Sequence, residues 1–322
     1  MSLKLRPRML SPVLVVTVFC LTSAGGPARK APAVPKARLF LPGIVSTGLN
    51  ERDTAYDVAR REIYYTVMNG RTGTICVARN RNGSWKKPEV APFSGRWSDL
   101  EPCLSPDGNR LYFVSNRPID GKGEPKDYDI WVMTRGRLTW NSPVNVGAPI
   151  NSERDEFYPS ITTDGTIYFC GKFDGENEDL WRCRLENGTY QPRENLGPNV
   201  NTQGEEFNAF VAPDESYLIF TSTGWGEGLG GGDLWISFRN TGGGWRKPAN
   251  LGDAVNSPAF EYCPSVSPDG TLLFFTSLRP IPVARPTTYA ALQRANSSPG
   301  NSRGDIYVID ATLINNLRQD GN

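Results

Sequence analysis

The chain has 322 residues, with 35 Lys and Arg against 34 Asp and Glu, a net charge of +1, and no histidine. Charge this balanced excludes the strong basic field that sequence-independent nucleic-acid binding requires. A chain without histidine cannot run Ser-His-Asp or Cys-His catalysis, and it lacks the commonest zinc ligand.

Residues 1–24 read as an export signal: Lys4, Arg6 and Arg8 form a basic start, residues 13–21 an apolar stretch, and Thr22, Ser23 and Ala24 a small-residue cleavage site. The expected destination is the periplasm or the exterior. Bulky Phe19 stands where a lipoprotein signal wants a small residue, so anchoring at Cys20 is the lesser alternative. Residues 25–36 read as a linker. Beyond the signal no apolar run approaches the ~18 residues of a membrane span, so the mature chain should have none. Five cysteines remain, Cys76, Cys103, Cys170, Cys183 and Cys263, an odd number without paired spacing. They sit in apolar strand patterns and read as small buried hydrophobes.

From residue 37 onward the chain repeats itself. Blade one is degenerate: Glu51-Arg52-Asp53 with Tyr56 matches Glu153-Arg154-Asp155 with Tyr158 two repeats later, but the Asp-Gly turn is missing. The turns Ser105-Pro106-Asp107-Gly108, Thr162-Thr163-Asp164-Gly165, Ala212-Pro213-Asp214 and Ser267-Pro268-Asp269-Gly270 each lead into an apolar strand. Third strands follow at Asp129-Ile130-Trp131, Asp179-Leu180-Trp181, Asp233-Leu234-Trp235 and Asp305-Ile306-Tyr307, and fourth strands are expected from Trp85, Trp140, Tyr190 and Trp245. Four strands repeated about every 50 residues describe a propeller blade. Blade five has no fourth strand behind Ile309, whereas Arg38-Leu39-Phe40-Leu41-Pro42-Gly43 precedes blade one as Val144-Asn145-Val146-Gly147 precedes blade three. The prediction is an all-β, single five-bladed propeller over residues 37–316, its N-terminal strand closing the last blade, with residues 317–322 as a tail.

Ser-Pro-Asp-Gly, an apolar strand and then Asp-Ile-Trp resemble the WD40-like, Asp-containing (PD40) repeats of TolB and related periplasmic propellers. The resemblance implies the fold across residues 37–316 and, in its usual form, six blades, which makes six the alternative count. For function it implies a binding or protein-interaction module of the cell envelope.

The steps from third-strand Trp to the next aromatic are 9, 9 and 10 residues, while those from turn Asp to third-strand Asp run from 15 to 36. Variation therefore concentrates in the second-to-third-strand loops, and their face should bind the ligand. Eight residues before each turn Asp, at the entrance of the inner strand, stand Asp99, Glu156, Glu206 and Glu261, with Thr54 in the degenerate blade. Carboxylates around a channel mouth could take a hard cation such as Ca²⁺, or a basic or polyhydroxyl ligand; equally, they could cap backbone N–H groups of the neighbouring blade's linker. Arg117 and Arg279, in Ser-x-Arg-Pro, could pair with those carboxylates or with an anionic ligand. Trp97 and Trp225 fit no repeat position and are candidate ligand platforms or loop packing. Residues 224–232 lack the Gly-Lys-Ser/Thr ending of a phosphate loop. The long insert at 282–303 reads either as holding a short helical turn at 288–295 or as a mobile segment, and either as a lid or partner-docking arm or, the favoured reading, as a tolerated surface insertion.

The leading expectation is thus a monomeric exported binding module without a cofactor, its partner an envelope protein, a peptide or a glycan. The competing one is a carbohydrate-active enzyme using two channel-mouth carboxylates as acid and base. A carboxylate pair with perturbed pKa in one pocket would favour the enzyme, and equivalent bonding of every ring carboxylate would favour structure.

Overall fold

The computed structural model describes residues 36–137 and 139–320; the segment read as an export signal lies outside them. Five antiparallel sheets follow one another along the chain, and each contributes one blade. The inner strands are Glu51–Asp57, Asp99–Leu104, Phe157–Ile161, Glu206–Val211 and Glu261–Val266. Each pairs with the strand after it, and the third strand with the second.

The fourth strands begin later than the aromatics suggest. They are Glu89–Val90, Val144–Asn145, Glu194–Asn195 and Ala249–Asn250. Trp85, Trp140, Tyr190 and Trp245 instead sit in the return turns, each paired with the end of the third strand or its extension. The aromatic serves the seam: Trp140 Nε1 donates to Tyr64 Oη of the preceding blade at 3.0 Å. Prolines between turn and strand explain the delay, because they remove the donors that an earlier ladder would need.

Ring closure follows the sequence prediction. Arg38–Leu39 pairs with Asp305–Asp310, Leu39 opposite Tyr307, so blade five takes its outer strand from the start of the propeller. Phe40 then packs edge-on against Phe274, with centroids 5.0 Å apart. Two short helices complete the unit. Tyr289–Asn296 (α1), capped by Thr288, matches the turn expected in the long insert and buries none of its residues. Thr312–Asp320 (α2) had no signal in the repeat pattern, and its Leu313 and Ile314 close the bottom of the seam between blades four and five. No helix among the described residues is long and apolar enough to cross a membrane.

The core is divided among the seams. Five apolar clusters lie one to each pair of neighbouring blades: Leu111 and Trp131 between one and two, Ile130 and Phe169 between two and three, Phe220 and Trp235 between three and four, Phe275 and Tyr307 between four and five, and Phe274 with Ile63 where five meets one. The five cysteines among the described residues are free thiols, Cys170, Cys183 and Cys263 being buried.

Because the closing strand carries Phe40 into the last seam, Phe40→Ala should destabilise the propeller by about 3–5 kcal/mol. Urea denaturation followed by tryptophan fluorescence measures this; a loss below about 1 kcal/mol would mean that closure does not depend on this contact.

Candidate functional site at the channel mouth

At the entrance of each inner strand stands a buried carboxylate. Asp99, Glu156, Glu206 and Glu261 show no exposed surface, and the fifth member of the ring is Glu51, 1 % exposed. The register places Thr54 one layer deeper, where its hydroxyl meets Ser265 at 2.7 Å. The match of Glu51-Arg52-Asp53 to Glu153-Arg154-Asp155 shifts blade one by three residues, which is why Glu51 escapes the sequence comparison.

These carboxylates are held in one common way. Ser152, Thr202 and Ser257, four residues upstream in the linker from the preceding blade, each donate both a hydroxyl and a backbone N–H, to Glu156, Glu206 and Glu261 respectively. Thr47 donates its hydroxyl to Glu51. Ser115, Ser222 and Ser277 at the ends of the second strands add a further hydroxyl to Asp99, Glu206 and Glu261. Arg117 pairs with Asp99 at 2.6 Å and Arg279 with Glu261 at 3.1 Å, and both guanidiniums also donate to linker carbonyls, Phe93 O and Val255 O. The bonds pin each linker to the blade it enters, and the ring points its carboxylates into the protein.

Neither off-pattern tryptophan lines the mouth. Trp225 donates its indole N–H to Val200 O at 2.7 Å and packs on the seam between blades three and four. Trp97 stacks under the Arg96 guanidinium, 4.9 Å from its ring.

The mouth is built from the two positions that follow each ring carboxylate. The first set, Arg52, Leu100, Phe157, Phe207 and Tyr262, rims the opening. The second, Asp53, Glu101, Tyr158, Asn208 and Cys263, sits at a β-bulge in every inner strand, and all five have positive φ between 49° and 59°. An extra residue in left-handed conformation turns its side chain away from the ladder, so five consecutive blades aim one side chain each at the axis. A sequence signal for this exists: Pro102, Pro159 and Pro264 interrupt inner strands, and a strand proline reports an edge or a bulge.

The floor of the mouth is one hydrogen-bonded network. Arg52 donates to Asp53 at 2.9 Å, to Glu101 at 2.6 Å and to Cys263 Sγ at 3.2 Å. Glu101 accepts the Tyr158 N–H at 2.6 Å, and Tyr158 reaches across the axis to donate its hydroxyl to Pro264 O at 2.9 Å. The channel is therefore plugged below Arg52. Above this floor opens a cavity of about 470 Å³, walled by Tyr128, Phe157, Phe207, Phe260 and Tyr262, with Arg52, Glu101, Glu178 and Asn208 as its polar groups. Phe207 and Phe260 stack with centroids 6.3 Å apart, and Tyr128 and Phe157 meet at a tilt with centroids 5.4 Å apart. A neighbouring cavity of about 370 Å³ shares Phe157 and Glu178 and adds Asp127, Glu153, Arg154 and Lys172. Both open on the face of the variable loops, the first through Gly70 and Arg71 of blade one, Tyr128 of blade two and Glu178 of blade three, the second through Asp127 of blade two and Lys172 and Glu178 of blade three.

One guanidinium faces two buried carboxylates here. Burial outweighs the attraction of Arg52 and, with Asp53 adjacent, pushes Glu101 up to about 8. Glu178 is also raised by burial and by Glu205. The mouth thus holds a pair of carboxyls that release protons reluctantly, while the buried Cys263 thiol, pushed up by burial, is unreactive.

No protein-family model and no curated protein matches the chain. Solved structures sharing the fold include TolB from Acinetobacter baumannii, 14 % identical over 81 % of this chain and 54 % of its own, TM-score 0.46. They also include the α-L-arabinofuranosidase of Lactobacillus brevis, 10 % identical over 84 % of this chain and 92 % of its own, TM-score 0.50. A third is the catalytic domain of the GH62 α-L-arabinofuranosidase of Coprinopsis cinerea, 11 % identical over 87 % and 98 %, TM-score 0.49. The chain spans about half the length of the TolB it matches. The protein is a five-bladed β-propeller, and at these identities its likeness to these structures is one of fold.

Because Glu101 and Glu156 (raised by burial to about 7) bind protons more tightly folded than unfolded, the native state holds the extra protons between about pH 4.5 and 8. Stability should therefore fall as pH rises through that window. The turn aspartates Asp107, Asp164, Asp214 and Asp269, lowered by hydrogen bonds within their turns, act oppositely and lose their contribution as pH falls below their ordinary range. A melting temperature that peaks near pH 4–5 and declines toward pH 8, less steeply in Glu101→Gln, is expected; a curve rising to pH 8 would contradict it.

Proposed function

We propose that the protein is an exported binding module of the cell envelope whose channel mouth receives the end of a glycan. The observation that carries this reading is the plugged funnel: aromatic walls over a floor of fixed donors and acceptors, Arg52, Glu101 and Asn208. Sugar rings present apolar faces that pack on Phe and Tyr, and hydroxyls that both donate and accept, so such a site serves them better than a flat protein epitope. Bonding of every ring carboxylate to a hydroxyl of its own linker supports assigning that ring to the scaffold and recognition to the bulge residues. The exported destination rests on the N-terminal sequence alone.

A second reading draws on Glu101 and Glu178. Two carboxyls with raised pKa in one cavity are the equipment of acid-base glycoside cleavage. Against it stands the full engagement of Glu101, both of whose oxygens are held by Arg52 and Tyr158.

Isothermal titration against xylo-, cello- and arabino-oligosaccharides and peptidoglycan fragments tests both readings. Binding by at least one glycan, weakened about 5- to 10-fold by Phe207→Ala, is the expected outcome; reducing-sugar release abolished by Glu178→Gln would make it an enzyme. If no glycan binds while a peptide from the envelope does, the funnel is a protein-docking site.

A further inference from the structure

We propose that the seam where blade five meets blade one binds a hard divalent cation of the Ca²⁺ type between Glu51 and Asp305. The argument rests on the repeat. At every seam the inner-strand carboxylate of one blade lies near the start of the preceding blade's third strand, and each of the other seams carries its own compensation. Asp99 has Arg117, and Glu261 has Arg279. Asp129, which faces Glu156, has Lys126 at 2.5 Å. Glu206 has no cation but accepts from both the backbone and hydroxyl of Thr202 and from Ser222.

The closing seam has lost these partners because its outer strand comes from the other end of the propeller. Asn145, Asn195 and Asn250 in the fourth strands donate to Asp129, Asp179 and Asp233, whereas Leu39 occupies that register position opposite Tyr307. Val67 stands opposite Glu51 where Ser115, Ser222 and Ser277 stand opposite their carboxylates. Glu51 and Asp305 are each 1 % exposed. Glu51 Oε2 and Asp305 Oδ1 are both buried without a hydrogen-bond partner, and neither carboxyl has an ion pair among the described residues. In the seams of Asp129 and Asp179 only the third-strand Asp leaves an oxygen unmatched; Glu51 is the one ring carboxylate that does so.

The two segments are in direct contact. Glu51 N–H donates to Gly304 O at 2.8 Å, and Gly304 N–H to Asn50 Oδ1 at 2.9 Å. Two buried carboxyls on contacting segments, close enough for Asp305 to repel a charge on Glu51 and each with one unmatched oxygen, favour a cation, and Ca²⁺ completes its oxygen shell from carbonyls and water where protein carboxylates are few. Among the described residues no group of three or more Cys, Asp or Glu side chains is arranged to hold a metal, so this is a two-carboxylate site with the modest affinity of extracellular modules, about 10⁻⁴–10⁻³ M.

Thermal unfolding of the mature chain, stripped with EDTA and returned to about 10 mM CaCl₂ or to choline chloride of equal ionic strength, tests the site. Ca²⁺ should raise the melting temperature by about 2–4 °C. Glu51→Gln and Asp305→Asn should each abolish the rise, and the amide of Asp305→Asn should raise the cation-free melting temperature by itself. Glu156→Gln, in a sister seam, should keep the Ca²⁺ response. No rise in the parent chain beyond choline chloride, or a rise that survives in Asp305→Asn, would overturn the proposal. Should Glu51→Gln fail to fold, Asp305→Asn and the parent chain decide it.

Discussion

Everything in this protein hangs on the packing of each blade against its two neighbours. A four-stranded blade has two faces and can bury neither alone, so the five apolar clusters sit in the seams. Such an arrangement is stable only when the ring is complete, because a missing strand would leave both an unpaired edge and an uncovered face. Borrowing Arg38–Leu39 for blade five supplies the edge, and Phe40 with Val45 supplies the face.

Seam geometry also decides where charge can be buried. The ring carboxylates lie where a linker crosses from blade to blade, a place rich in backbone N–H groups with no ladder to join. Ser and Thr four residues upstream, and Asn151, Asn201 and Asn256 clamping the N–H and C=O of Ile130, Leu180 and Leu234, satisfy the rest. Buried carboxylates are tolerable on those terms. The site is different in kind: bulged residues with positive φ hold Asp53 and Glu101 against one Arg52, leaving the mouth with more acid than base at its floor. That imbalance, beneath aromatic walls, is what separates the mouth from the scaffold.

Much of this was legible in order of repetition. Ser-Pro-Asp-Gly turns and Asp-x-Trp strands recur because every blade solves the same local problem, so blade count, closing strand and the face of the variable loops follow from spacing. The candidate residues were less legible. Asp99, Glu156, Glu206 and Glu261 stood out precisely through their recurrence, and recurrence marks what the scaffold needs. Arg52, Glu101, Tyr158 and Asn208 differ from blade to blade and so left no pattern, apart from the prolines beside three of the bulges.

Sequence by itself therefore determined the propeller, its five blades and its closure, since those are set by periodic turns and alternating apolar residues acting over a few positions. Tertiary structure alone decided which residues meet at the axis, that Tyr158 plugs the channel, and that Glu51 and Asp305 are each buried with an unmatched oxygen. These are contacts between blades about 50 to 250 residues apart, where no local spacing rule applies and only the closure of the ring fixes the distance.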